Sequence, residues 1–122
     1  MAMLFGMFNF HWRMINGQWS MVNGQCISAQ INTDRVLLMG RNALYYEDYV
    51  LAIQRFNMVI NAKPWLGEPY FYRAVAKFYL EDYQGAEIDC NKALERNPYS
   101  LNHYVLRALC RINQDQIGRA HV

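Results

Sequence analysis

Charge is scarce in this sequence. Asp, Glu, Lys and Arg together make up 18% of 122 residues, and the formal net charge is +2. A protein that grips phosphate backbones shows a clustered basic face. Here the twelve Lys and Arg residues are scattered, so nucleic acid is not an expected partner. Cysteine is scarcer still: Cys26, Cys90 and Cys110 are an odd set without paired spacing, which argues against a disulfide framework and against a zinc knuckle. Cys90 and Cys110 fall at apolar helical positions and read as small core residues. His11, His103 and His121 stand apart from one another and from any acidic partner. There is no Gly-rich phosphate loop, no Gly-x-Ser-x-Gly elbow and no His pair at metal-ligand spacing. No catalytic residue, metal ligand or cofactor is therefore expected, and the chain does not read as an enzyme. No apolar run reaches the ~20 residues of a membrane-spanning helix.

What the chain has is apolar and aromatic substance: 53% hydrophobic and 15% aromatic residues, which excludes a disordered tail. A chain of this length forms one domain with a modest core. Its nine tyrosines suit helix–helix seams and binding surfaces, where a ring packs while its hydroxyl stays wet.

Residues 1–30 differ from the rest and are expected to be poorly structured or signal-like. Three successive heptapeptides begin at Met7, Met14 and Met21 and share Met, an apolar residue and Asn in their first three places. They are not coiled-coil heptads, because Asn-Gly recurs and breaks helices. Met1 to Phe10 is apolar, and Ile27-Ser28-Ala29 before Gln30 resembles a cleavage site. No Lys or Arg precedes the apolar stretch, however, and a long polar stretch separates it from Ala29. Two explanations stay open: an export signal, placing the protein in the periplasm or cell envelope, or a misassigned start codon and a cytoplasmic protein.

From Thr33 to about Asn113 the pattern is helical and repeats. Pro64 and Pro98 lie 34 residues apart. The run Ala52-Ile53-Gln54-Arg55-Phe56 leads to the first, and Ala86-Glu87-Ile88-Asp89-Cys90 to the second. Tyr49 and Tyr83 precede those alanines by three. Gly40, Ala74 and Ala108 recur at the same period. Two antiparallel helices cannot bury their apolar faces alone and must stack on neighbours. The small residues let the second helix approach the first, while Tyr49, Phe56, Tyr70, Tyr83 and Tyr104 fill the space around the contact. Each such ring is worth ~1.5–3 kcal/mol when buried. Proline ends the second helix, since it cannot donate the next hydrogen bond and disfavours helix in the residue before it. The expected helices start at Thr33 or Asp34 (to about Glu47), Tyr49 (to Ala62), Pro69 in a first turn (to Glu81), Tyr83 (to Arg96) and after Ser100 (to Asn113). The acidic residues Glu81, Asp82, Glu87 and Asp89 read as a solvated face, with Lys92 pairing to Asp89 or Glu95.

These residues resemble the tetratricopeptide repeat, in its bacterial form. The match lies at the small residue of the first helix, at the aromatic and alanine opening the second, and at the closing proline. Ala93 matches the second small position of the second helix, and Val59 more loosely. Val36, Ala43 and Lys77 depart from the pattern. The resemblance implies an all-α fold of helical hairpins stacked as a right-handed superhelix. Residues 31–116 hold two full repeats (about 33–66 and 67–100) and part of a third. The last six residues, Ile117-Gly118-Arg119-Ala120-His121-Val122, resemble a translated sequencing adapter, on which reading the natural protein continues past Gln116. The third repeat then leaves an apolar face on the fifth helix.

The resemblance further implies a protein-interaction scaffold, whose first helices line a concave groove for a peptide or helix of a partner. The groove positions expected from it are Leu37, Arg41, Leu44 and Tyr45, then Phe71, Val75, Phe78 and Tyr79, then Val105 and Leu109, flanked by Asp34, Glu68, Asn102, Ile112 and Asn113. One subgroup of the family grips the C-terminal carboxylate of heat-shock chaperones with Lys, Asn and Arg. The matching positions here are Leu37, Arg41, Tyr72, Asn102 and Leu106, with one positive charge among them, so chaperone-tail binding is not expected. The alternatives are a targeting or assembly arm of a larger, enzyme-bearing protein, and a module that self-associates through the incomplete third repeat.

Overall fold

The computed structural model describes residues 11–22 and 31–120. The apolar run Met1 to Phe10, Cys26, the Ile27-Ser28-Ala29 sequence and the last two residues lie outside them. Strands β1 (His11–Ile15) and β2 (Gln18–Val22) pair antiparallel, with Ile15 opposite Gln18. The Asn-Gly that breaks helices is the two-residue turn between them. Asn16 (φ 53°) and Gly17 (φ 77°) both take left-handed backbone, the geometry a tight hairpin turn requires.

The repeat region is helical throughout. α1 (Thr33–Tyr45), α2 (Tyr49–Ala62), α3 (Glu68–Tyr79), α4 (Tyr83–Arg96) and α5 (Leu101–Ala120) follow one another, each packed on the next. The bounds of α2 and α4 agree with the sequence reading. At α1 the cap is Asn32 rather than Thr33 or Asp34: its Oδ1 accepts from the Arg35 amide at 3.1 Å. Thr33 is instead the first helical residue, and is buried. Both α1 and α3 stop two residues before the expected ends, because Glu47 (φ 61°) and Glu81 (φ 64°) turn left-handed there. α5 continues past the expected Asn113.

The 34-residue period reappears in the hydrogen bonds. Asp48 caps α2 and Asp82 caps α4, each accepting from the amide three residues on. The Tyr70 hydroxyl donates to the Pro64 carbonyl, and Tyr104 to that of Pro98. Arg73 donates to Asn57, and Arg107 to Asn91. A sequence repeat has become a repeated set of bonds.

Packing follows the small residues. Gly40 faces the Phe56 ring so closely that a Cβ there would lie 2.5 Å from a ring carbon. Ala43, Ala52, Phe56 and Ala76 form one buried cluster; Ala74, Ala86, Cys90, Leu106 and Cys110 form another. Cys90 and Cys110 are fully buried, as expected of core thiols. Burial pushes the Cys90 thiol up to about 12, so it stays protonated. Of the aromatic fillers, Phe56 and Tyr70 are buried, Tyr49 and Tyr83 half-buried, but Tyr104 is 42% exposed. Ala108 is exposed too, because among the described residues no helix follows α5 to pack against it.

One expectation is overturned. Asp89 is not on a solvated face: it is 1% exposed. Its carboxylate accepts from Arg73 Nε at 2.8 Å and Nη2 at 2.6 Å, and pairs with Lys77 Nζ at 2.8 Å. Lys92 lies over the Tyr70 ring instead. The departure at Lys77 is thus matched by a buried carboxylate one helix away.

Candidate functional site

α1, α3 and α5, the first helices of the three repeats, lie side by side, and they carry every expected groove residue. Leu37 and Leu44 are half-buried against the Phe56 cluster, while Phe71, Val75 and Phe78 pack on the Cys90 cluster. Their remaining surface, with exposed Tyr45, Tyr79, Val105 and Leu109, is apolar and open. Tyr79 stacks on Tyr49 at 5.2 Å, and Tyr45 meets Tyr46 edge-on. Arg41 is exposed, with its guanidinium 5.3 Å from the Tyr72 ring centre.

Between α3 and α5 the surface deepens into an open pocket of about 420 Å³. Phe71, Tyr72, Leu66 and Glu68 wall it on the α3 side. Asn97, Ser100, Asn102 and His103 face them from the start of α5. His103, Phe71 and Tyr72 form a row of rings: His103 lies 4.6 Å from Phe71, and Phe71 lies 5.6 Å from Tyr72. Sequence reasoning treated His103 as an isolated residue and did not single out this pocket. Glu68 and Asn102 were in view as flanking positions. No local motif could have found the pocket, because its walls come from segments about one repeat apart.

Electrostatics within the pocket are modest and one-sided. Burial raises the Tyr72 hydroxyl above its ordinary pKa; Arg41 pulls it down, while Glu68 pushes it up by charge and by accepting its hydrogen bond. Burial lowers the His103 imidazole, and a hydrogen bond to the Asn97 backbone opposes the drop. Its Nδ1 is buried and has no hydrogen-bond partner among the described residues. Among those residues no group of three His, Cys, Asp or Glu side chains is placed to hold a metal ion. No described helix is long and apolar enough to cross a membrane.

No protein-family model matches the sequence, and no curated protein does. Solved structures do match. The TPR2B domain of yeast Sti1, in its pHsp70 complex, is 26% identical with a TM-score of 0.66, over 72% of this chain and 70% of that one. The first tetratricopeptide repeat domain of Spaghetti (RPAP3), bound to the HSP90 peptide SRMEEVD, is 25% identical with a TM-score of 0.67, over the same shares. The TPR2AB structure of yeast Sti1 with pHSP90 is 26% identical with a TM-score of 0.66, over 72% of this chain and 34% of that one.

The chain has the tetratricopeptide-repeat fold.

Its repeats form an all-α solenoid of helical hairpins, and the short β-hairpin at residues 11–22 precedes them in sequence. The positions that would match a tetratricopeptide-repeat carboxylate grip are spread apart in character here. Leu37 is half-buried in the core, Arg41 is spent on Tyr72, and Leu106 is buried. Asn102 remains as a neutral amide.

Proposed function

We propose that this chain of tetratricopeptide-repeat fold is an interaction scaffold that catalyses nothing itself. It holds a peptide or helix of a partner against Leu37, Arg41, Leu44, Tyr45, Phe71, Val75, Phe78, Tyr79, Val105 and Leu109. The observation that supports the reading is that one helix from each repeat carries apolar side chains that are half-buried or exposed. Such a surface fits an amphipathic helix, whose anchors recur every three to four residues. The solved structures of similar fold were obtained with peptides, which supports the same use of the fold. The peptide SRMEEVD ends in two glutamates, a valine and an aspartate. Arg41 is the one cation among these ten residues, so an acidic tail of that kind finds too little charge.

The reading is tested by selecting binders from a displayed library of helical peptides and repeating the measurement with Val75→Glu and Leu109→Glu. A groove binder loses at least tenfold in affinity with either substitution, since each places a charge in the apolar contact. Binders indifferent to both substitutions would place the partner elsewhere.

A second reading, self-association through α5, has its own observation. Leu101, Val105, Ala108, Leu109 and Ile112 are all exposed on that one helix. Light scattering decides it, because self-association raises the mean mass with concentration.

A further inference from the structure

We propose that the pocket between the N-terminal ends of α3 and α5 is a subsite for one basic side chain, preferably the guanidinium of an arginine, on the bound partner. This rests on the groove reading and adds to it the chemistry of one anchor.

Four observations converge. Among the described residues, Glu68 is the only charged side chain that lines the pocket. Gly67, the N-cap of α3, offers no side-chain cap, but Glu68 already places a carboxylate in the first turn, at the positive end of that helix. An incoming anion would meet this carboxylate, whereas a cation would pair with it. His103 is 7% exposed, and its buried Nδ1 lacks a donor. A buried acceptor left unpaired is unfavourable, and an N–H group entering the pocket would relieve that cost. Finally, the ring row of His103, Phe71 and Tyr72 offers aromatic faces, and it already holds one guanidinium, that of Arg41 over Tyr72. A planar guanidinium suits stacking, carboxylate pairing and several donated hydrogen bonds at once, which an ammonium matches less well. The pocket volume is ample for one long side chain.

The preference is opposite in sign to an acidic chaperone tail.

The test uses the full chain and two kinds of probe. Blocked arginine (N-acetyl-arginine N-methylamide) is titrated while the His103 and Phe71 ring signals are followed by NMR. Blocked citrulline and blocked aspartate serve as controls. Saturable shifts with arginine are expected, about tenfold weaker with citrulline or in Glu68→Gln. They should also weaken in His103→Phe, which keeps a ring beside Phe71 but removes the acceptor. No shift at His103, or equal shifts with arginine and citrulline, would overturn the proposal. A blocked leucine–alanine helical peptide without basic residues probes the groove separately, through the Val75 and Leu109 methyl signals. If that peptide binds while arginine does not, the pocket assignment fails and the groove stands. If arginine binds while the peptide does not, the subsite chemistry stands and the apolar groove reading fails.

Discussion

The first and second repeats meet the same packing problem with different residues. At matching offsets the first places Gly40 against Phe56, and the second places Ala74 beside Cys90 in one cluster. A large ring needs no side chain opposite it; a small thiol leaves room for a methyl. What recurs is close packing across the seam, reached with different residues. One residue before each of those second-helix positions the repeats diverge further. Arg55 of the first repeat is half-exposed and donates to the Met58 sulfur, whereas Asp89 of the second is buried between Arg73 and Lys77. The backbone features, by contrast, barely change: aspartate caps, left-handed glutamates and proline carbonyls bonded by tyrosine recur at the period. Local geometry is repeated, and the side chains at the seams are free to trade volume and charge.

The sharpest way to break this comparison is to empty the two seams. Phe56→Ala should cost about 3–5 kcal/mol, while Cys90→Ala, which deletes one sulfur, should cost about 1 kcal/mol. Urea denaturation midpoints check this, and equal losses would mean the seams are not alternative fillings of one space. Next comes charge. Asp89→Ala leaves Arg73 and Lys77 without their anion and should cost about 2–4 kcal/mol, reduced from a fully buried pair because both cations are partly exposed. Arg55→Ala at the matching offset should cost under about 1 kcal/mol.

A double substitution sharpens the volume argument. Gly40→Ala alone should destabilise by about 1–3 kcal/mol by overpacking Phe56. Combined with Phe56→Leu it should become neutral or favourable, as alanine is the better helix former. Strict additivity in that thermodynamic cycle would count against the close contact. The shared features should respond alike: Asp48→Ala and Asp82→Ala should each cost about 1 kcal/mol, and a large gap between them would show that the caps are not equivalent.

The smallest expected effect is of pH. His103 has a folded pKa below its ordinary value of 6.5, so the unfolded chain takes up a proton first. Stability is therefore complete above 6.5 and falls as pH drops from there toward the folded value. Hydrogen bonds from Arg111 and Gln114 hold the Glu87 carboxyl below its ordinary 4.5, and its contribution is lost in turn as pH falls through and below that value. In a pH series of denaturation curves, His103→Phe should abolish the first phase and leave the second. A first phase that survives this substitution would assign it to another group.

Much of the fold was legible because its signals are local. Tyr49–Ala62 and Tyr83–Arg96 are bounded by an aspartate on one side and a Lys-Pro or Asn-Pro step on the other, so backbone chemistry marks both ends. The left-handed turns at Glu47 and Glu81 carry no such mark. Neither residue type announces that conformation, and α1 and α3 were read two residues long. Asn32 was missed as a cap because Thr33 and Asp34 compete for the role in sequence, and only the geometry shows which oxygen reaches an amide. For the candidate site, the family resemblance placed the groove positions on α1, α3 and α5. It could not show that Arg41 would be engaged by Tyr72.

The sequence by itself determined the number of helices, their turns and the small residues at the seams, since these depend on residue type at a fixed period. Tertiary structure alone decided the burial of Asp89 between two cations and the joining of Glu68 to His103 around one pocket. In both cases the partners come from different helices, and a charge or an imidazole acquires its meaning only from the low-dielectric neighbours that packing brings to it.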